Sequence, residues 1–112
     1  MAFRGTTGIL NWVQNLKFIQ SPYNKCDGCE VHTGFLQTWE NMKEKTGIFN
    51  YTEGLLKGAC SGCKLLITGH SLGAALATLA AFEDWETQVE FINFGSPRVG
   101  NEAFAKAFNS KI

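Results

Sequence analysis

The chain has 112 residues, 45% hydrophobic and 18% charged, which marks it as globular rather than disordered and leaves room for one domain at most, residues 1–112. Ten basic residues balance ten acidic ones, so no positive surplus exists to neutralise nucleic-acid phosphates or to hold an anionic membrane. No run approaches the ~18–20 apolar residues of a membrane span, and the opening Met1-Ala2-Phe3-Arg4-Gly5 lacks the basic start, apolar run and cleavage site of a signal peptide.

In chain order the pattern alternates strands with helices. Phe3 closes a short apolar start that reads as a buried strand, broken by Gly5 and Gly8. From Ile9 to Phe18, the residues Ile9, Leu10, Trp12, Val13 and Leu16 recur at helical spacing opposite Asn11, Gln14 and Asn15, predicting an amphipathic helix. Pro22 and Cys26/Cys29 mark a loop. Glu30–Phe35 predicts a short strand, and a helix follows from about Leu36 to Lys45 with Leu36, Trp39, Met42 and Lys43. After Gly47, the stretch Asn50–Lys57 predicts further helix with Tyr51, Leu55 and Leu56 facing inward. Lys64–Thr68 is a continuous apolar run, as in a parallel strand covered on both faces. Leu72–Trp85, rich in Ala and Leu and free of Pro, predicts a helix. Val89–Gly95 predicts another buried strand, Ser96–Gly100 a turn, and Asn101 the N-cap of a last helix containing Phe104 and Phe108. Such alternation requires crossover connections and a parallel sheet, an α/β fold.

Four cysteines form two C-x-x-C pairs, Cys26/Cys29 and Cys60/Cys63, each enclosing a glycine. Structural disulfides of an oxidising compartment are the leading reading of an even count in turn-like contexts. A four-thiolate zinc site and free cytosolic thiols are the alternatives. The zinc reading suffers because the interval between the pairs holds a strand and a helix of its own, and a redox role suffers because strands, not helices, follow both pairs. Sequence does not choose among the three possible pairings; two local bridges are the expectation.

The sharpest feature is Gly69-His70-Ser71-Leu72-Gly73, a G-x-S-x-G match. By composition alone roughly one chain in thirty of this length would hold such a match, so its context decides. Here it joins a strand to an Ala-rich helix, where a serine on a tight turn exposes its hydroxyl at the carboxyl edge of the sheet. Gly69 and Gly73 suit the close approach of strand and helix backbones. Ser71 is thus a candidate nucleophile, and the N–H of Leu72 the expected first oxyanion donor. The competing reading is a serine that merely N-caps an ordinary helix. His70 is rejected as the base because adjacent residues on a turn diverge; it is expected to be packed or locally hydrogen-bonded, and His32 to be structural. No histidine follows Ser71. Glu83 and Asp84 do, but about twelve residues at 1.5 Å rise put them nearly 20 Å from the turn. A triad in the order serine, acid, histidine does not close within these residues.

Four motifs in order cover nearly the whole chain and resemble the class 3, fungal-type triacylglycerol lipase family. They are Phe3-Arg4-Gly5-Thr6 with Asn11-Trp12-Val13, Val31-His32-Thr33-Gly34-Phe35, Gly69 to Gly73, and Phe94-Gly95-Ser96-Pro97-Arg98-Val99-Gly100-Asn101. The resemblance implies the central parallel-sheet segment of an α/β-hydrolase fold with flanking helices, incomplete at both ends. It implies that Thr6 supplies the second oxyanion donor, that Gly8 to Phe18 correspond to a lid, and that the catalytic acid and histidine lie beyond Ile112. The amphipathic pattern of that segment suits a Trp12/Val13/Leu16 face that meets a lipid surface, and equally a helix simply packed on the core. The family's acidic position in its N-W-x-x-D-L stretch is Asn15 here.

The expected function is serine-dependent hydrolysis of an acylglycerol or similar carboxylic ester, with no metal and no cofactor, in a secreted or lumenal setting. The alternatives are an inactive hydrolase-like module that binds lipid, and a redox or zinc protein using the cysteines.

Overall fold

The computed structural model describes residues 1–8 and 16–112. Strands β1 (Ala2–Phe3), β2 (Gln20–Pro22) and β3 (Glu30–His32) precede helices α1 (Thr33–Thr46) and α2 (Ile48–Lys57). Then come β4 (Leu65–His70), α3 (Leu72–Ala81), β5 (Val89–Phe94) and α4 (Glu102–Lys111). The helix expected over 9–18 falls largely on residues 9–15, outside the described ones; Leu16–Phe18 are not helical.

Strands β1, β4 and β5 form a parallel sheet in that order, with Phe3 opposite Gly69 and Gly69 opposite Asn93. The central strand β4 therefore carries the turn that ends in Ser71. Leu65, Ile67 and Gly69 point to the buried side, where α3 lies across the sheet. Every residue of α3 from Gly73 to Ala81 is buried, because alanine and glycine let a helix sit close between the sheet and α1. Among the described residues the other face is open, with Leu66, Ile92 and Phe94 exposed, where the apolar run of β4 suggested cover on both.

Several boundaries differ from expectation for identifiable reasons. The strand read over Glu30–Phe35 stops at His32, whose Nδ1 accepts the Phe35 N–H at 3.3 Å and starts α1 there. The helix read to Trp85 stops at Ala81. The Trp85 indole donates to the Ala80 carbonyl at 2.8 Å, and Glu83 turns inward to meet three donors, so the chain leaves its helical path. Helix α2 docks through Phe49, whose ring lies 4.6 Å from that of Trp85. That orientation leaves Tyr51 65% and Leu55 38% exposed rather than inward. The segment around Pro22, read as loop, contributes β2, which pairs antiparallel with β3; Pro22 stands at the end of this short strand, where its missing N–H is tolerated.

Glu83 is the polar hub of the interior. Its carboxylate accepts from the Trp39 indole at 2.8 Å, from Lys43 at 2.7 Å and from Lys25 at 2.6 Å. Burial alone would raise its pKa, but the hydrogen bonds from Lys25, Lys43 and Trp39 outweigh that and hold the carboxyl below its ordinary value. One side chain thus ties the β2–β3 loop and α1 to the end of α3. The two cysteine pairs close on themselves as Cys26–Cys29 and Cys60–Cys63, each pinning a turn ahead of a strand.

Candidate active site

Ser71 sits between β4 and α3 with φ 57° and ψ −122°, the only non-glycine of positive φ among the described residues. A side chain in this region costs on the order of 1–3 kcal/mol and persists only where its surroundings impose it. The Ser71 N–H donates to the Phe94 carbonyl at 3.0 Å, and its own carbonyl accepts from Ala74 at 3.0 Å and Ala75 at 3.3 Å. Its hydroxyl makes no capping bond to the helix, so the geometry differs from that of an ordinary N-cap.

The flanking glycines are enforced by backbone. A methyl at Gly69 would collide with the Gly73 carbonyl and lie 2.7 Å from the Ala74 nitrogen. A methyl at Gly73 would collide with the Phe3 carbonyl and lie 2.8 Å from the carbonyl carbon of Arg4. Gly5 is equally tight: a methyl there would run into the His70 carbonyl and come within 3.4 Å of the Ser71 Cβ. The Arg4-Gly5-Thr6 loop is therefore pressed onto the turn that holds the serine, with Thr6, half-buried, one residue from the contact. The Leu72 N–H, at the first helical position, has no partner among the described residues, and the helix dipole favours negative charge beside it.

His70 is not packed as expected. The alternation of β4 turns Gly69 inward and leaves His70 exposed, with its ring near Gly95. His32 is buried and structural through its bond to the Phe35 N–H, and its ring stacks on that of Phe35 at 4.0 Å. Because Nδ1 accepts, the neutral ring carries its proton on Nε2, and that buried nitrogen has no partner among the described residues. His32 also lines an open cavity of about 430 Å³ with Leu16, Ile19, Phe35, Thr38 and Leu72. The cavity is mainly apolar and begins at the residue next to Ser71.

Two of the sequence motifs are clasped together. The His32 N–H donates to the Val99 carbonyl at 2.7 Å, and the Asn101 N–H to the Glu30 carbonyl at 2.9 Å. Asn101 caps α4 as expected by accepting from Phe104, and its side chain also accepts the Glu30 N–H and donates to Gly28. Behind the turn, the Asn93 side chain donates to the Ala74 carbonyl at 2.8 Å and to the Thr78 hydroxyl at 3.1 Å, binding the first turns of α3 to β5. Sequence reading missed Asn93, the contact of Gly5 with the serine turn and the cavity; only the polar residue at an apolar strand position hinted at the first. No cluster of metal-binding side chains exists among the described residues.

A parallel α/β sheet whose central strand runs into a helix through a strained Gly-x-Ser-x-Gly turn defines an α/β-hydrolase. The chain belongs to the class 3 lipase family, whose pattern residues 1–112 match throughout. It is 39% identical over 107 residues to secreted mono- and diacylglycerol lipase 1 of Fusarium solani, covering 94% of this chain and 31% of that protein. A lipase structure from Rhizopus microsporus var. chinensis superposes with a TM-score of 0.88 at 30% identity, covering 96% of this chain and 39% of the other. A triacylglycerol lipase described as having a serine protease triad at its catalytic centre matches with a TM-score of 0.81 at 33% identity, covering 97% and 43%. The chain thus spans about a third of the length of the curated relatives it matches.

Proposed function

We propose that the complete protein is a serine carboxylic-ester hydrolase of the triacylglycerol lipase type, and that these residues supply its nucleophile and oxyanion hole. The observation that carries this reading is Ser71, held at positive φ beside an open apolar cavity. The Ser71 hydroxyl attacks the ester carbonyl, and the oxygen that becomes negative is met by the N–H groups of Leu72 and Thr6, with the Thr6 hydroxyl in reserve. Collapse expels the alcohol and leaves an acyl-serine, which water then cleaves. The general base is a histidine paired with an acid, both supplied from outside these 112 residues. The chain's coverage of about a third of a lipase relative supports that division.

The substrate is an acylglycerol or a similar ester whose acyl chain lies along Leu16, Ile19, Phe35 and Leu72. Phe18, 77% exposed, ends the segment 8–18, and the exposed Ile19 follows it; both offer apolar contacts for a lipid–water interface. Two closed disulfides and a relative described as secreted support a secreted or lumenal setting. No helix among the described residues is long and apolar enough to cross a membrane, and neither nucleic acid nor a cofactor enters the scheme.

The test is hydrolysis of a short-chain p-nitrophenyl ester and of a monoacylglycerol by the complete protein and its Ser71→Ala variant. Turnover should fall by at least about 10⁴-fold; undiminished turnover would refute the assignment. A second reading, an inactive module that binds acyl chains, draws on the open, mainly apolar cavity alone. It would be favoured if the complete protein bound fatty acid yet hydrolysed neither ester.

A further inference from the structure

Asn50-Tyr51-Thr52 is an Asn-x-Thr stretch in which the middle residue is not proline, the acceptor pattern for N-linked sugar, and the sequence holds it once. The pattern alone is weak, so its surroundings decide. Asn50 lies exposed on the first turn of α2, three residues beyond Gly47, which has φ 62°. Its side chain makes no hydrogen bond among the described residues. It borders a cleft of about 300 Å³ with Glu40, Lys43, Glu44 and Phe49.

Helical side chains lean towards the helix N-terminus, so the Asn50 amide leans over Gly47 towards the last turns of α1. Glu44 there has no ion-pair partner among the described residues. Hydroxyl and acetamido groups of a first sugar would find charged partners in this cleft, and the exposed ring of Tyr51 offers an apolar face beside it. The site is also clear of the chemistry. Helix α2 packs on Trp85 through Phe49, and Glu53 accepts the Glu86 N–H, both beyond the C-terminal end of α3. Ser71 precedes the other end of that ten-residue helix, about 15 Å away along its axis.

We propose that Asn50 is an N-glycosylation site, an inference that rests on the secreted or lumenal reading above. The Asn50 amide nitrogen forms a bond to C1 of the first sugar of a polyprenyl-pyrophosphate-linked oligosaccharide. The C1–O bond to the pyrophosphate breaks, its electron pair leaves with the lipid pyrophosphate, and one amide proton passes to a base of the transferase. The product covers Tyr51 without approaching the ester-binding cavity.

The experiment is peptide mass spectrometry on the segment that contains Asn50, before and after endoglycosidase treatment, of the complete protein from a yeast secretory host, with Thr52→Ala and Thr52→Ser variants. The expected result is a glycan-sized excess mass on that peptide in the parent and Thr52→Ser proteins, absent in Thr52→Ala, with ester turnover changed less than twofold by deglycosylation. Secreted, fully oxidised parent protein whose Asn50 peptide carries no excess mass would overturn the proposal and leave the compartment reading intact. Excess mass on that peptide persisting in Thr52→Ala would also overturn it. Four maleimide-reactive cysteines in protein from its natural source would instead overturn the compartment reading, and the proposal with it.

Discussion

Gly73→Ala tests whether the Arg4-Gly5-Thr6 loop, the proposed oxyanion donor, is positioned by contact with the turn at Ser71. The new methyl would lie 2.7 Å from the Phe3 carbonyl carbon and 2.8 Å from that of Arg4, with the Phe3 oxygen nearer still. Ordinary carbon–carbon contact needs about 3.5–4.0 Å, so β1 and the loop behind it must retreat by roughly 1 Å. Both colliding groups are backbone, and the Phe3 ring is pinned edge-on to Trp39 at 5.7 Å, so no side chain can swing aside to absorb the change. Overpacking of this kind costs about 1–3 kcal/mol. Thr6 follows the displaced residues, and a misplacement of about 1 Å at reacting groups costs on the order of 10²-fold in rate. The assay is kcat/KM on a short-chain p-nitrophenyl ester together with the urea midpoint, both on the complete protein. Gly54→Ala is the control: nothing lies within 4 Å of its added methyl, and an alanine inside α2 should be neutral or stabilising by up to about 1 kcal/mol. A Gly73→Ala protein with unchanged turnover and midpoint would refute the contact argument.

Glu83→Gln should destabilise the protein by about 3 kcal/mol, the low end for breaking an ion pair inside a protein, because Lys25 and Lys43 keep some access to water; urea unfolding reads this directly. The Glu83 carboxyl is held below its ordinary value in the fold, so its stabilisation is complete above the unfolded carboxyl pKa of about 4.3 and is lost as pH falls through the lowered folded value. The urea midpoint of Glu83→Gln should accordingly fall less steeply than that of the parent below about pH 4.3. Thr6→Ala should lower kcat by about 10-fold or less if the backbone N–H is the main donor, and by about 10²–10³-fold if the hydroxyl contributes a full oxyanion bond; Thr6→Pro, which removes the N–H, should be the more severe in steady-state kinetics. Reducing both disulfides should cost about 2 kcal/mol for each four-residue loop, seen as a lower urea midpoint with dithiothreitol without loss of folding.

The strained turn at Ser71 was legible in sequence because its determinants are local: the apolar run Leu65–Ile67, two glycines spaced around a serine, and an alanine-rich stretch behind them. The cysteine turns and the Asn101 cap were legible for the same reason. What escaped depends on partners distant along the chain. The rotation of α2 is set by Phe49 meeting Trp85, and the end of α3 by Trp85 and Glu83. Glu83 was read only as too far from Ser71 to complete a triad, because nothing near it in sequence shows that Lys25, Trp39 and Lys43 converge there. The Asn101 clasp on Glu30 and Gly28 spans about seventy residues. Gly5 read as a simple strand breaker, and its true constraint is the His70 carbonyl. The cavity draws its walls from three separate segments, which no periodicity announces.

The most direct test of the central claim is to treat the complete protein with a fluorophosphonate probe and locate the modified residue by peptide mass spectrometry. The account requires the label on Ser71, in step with loss of ester turnover, and no label in Ser71→Ala. Label on another residue, or turnover that survives in Ser71→Ala, would contradict it.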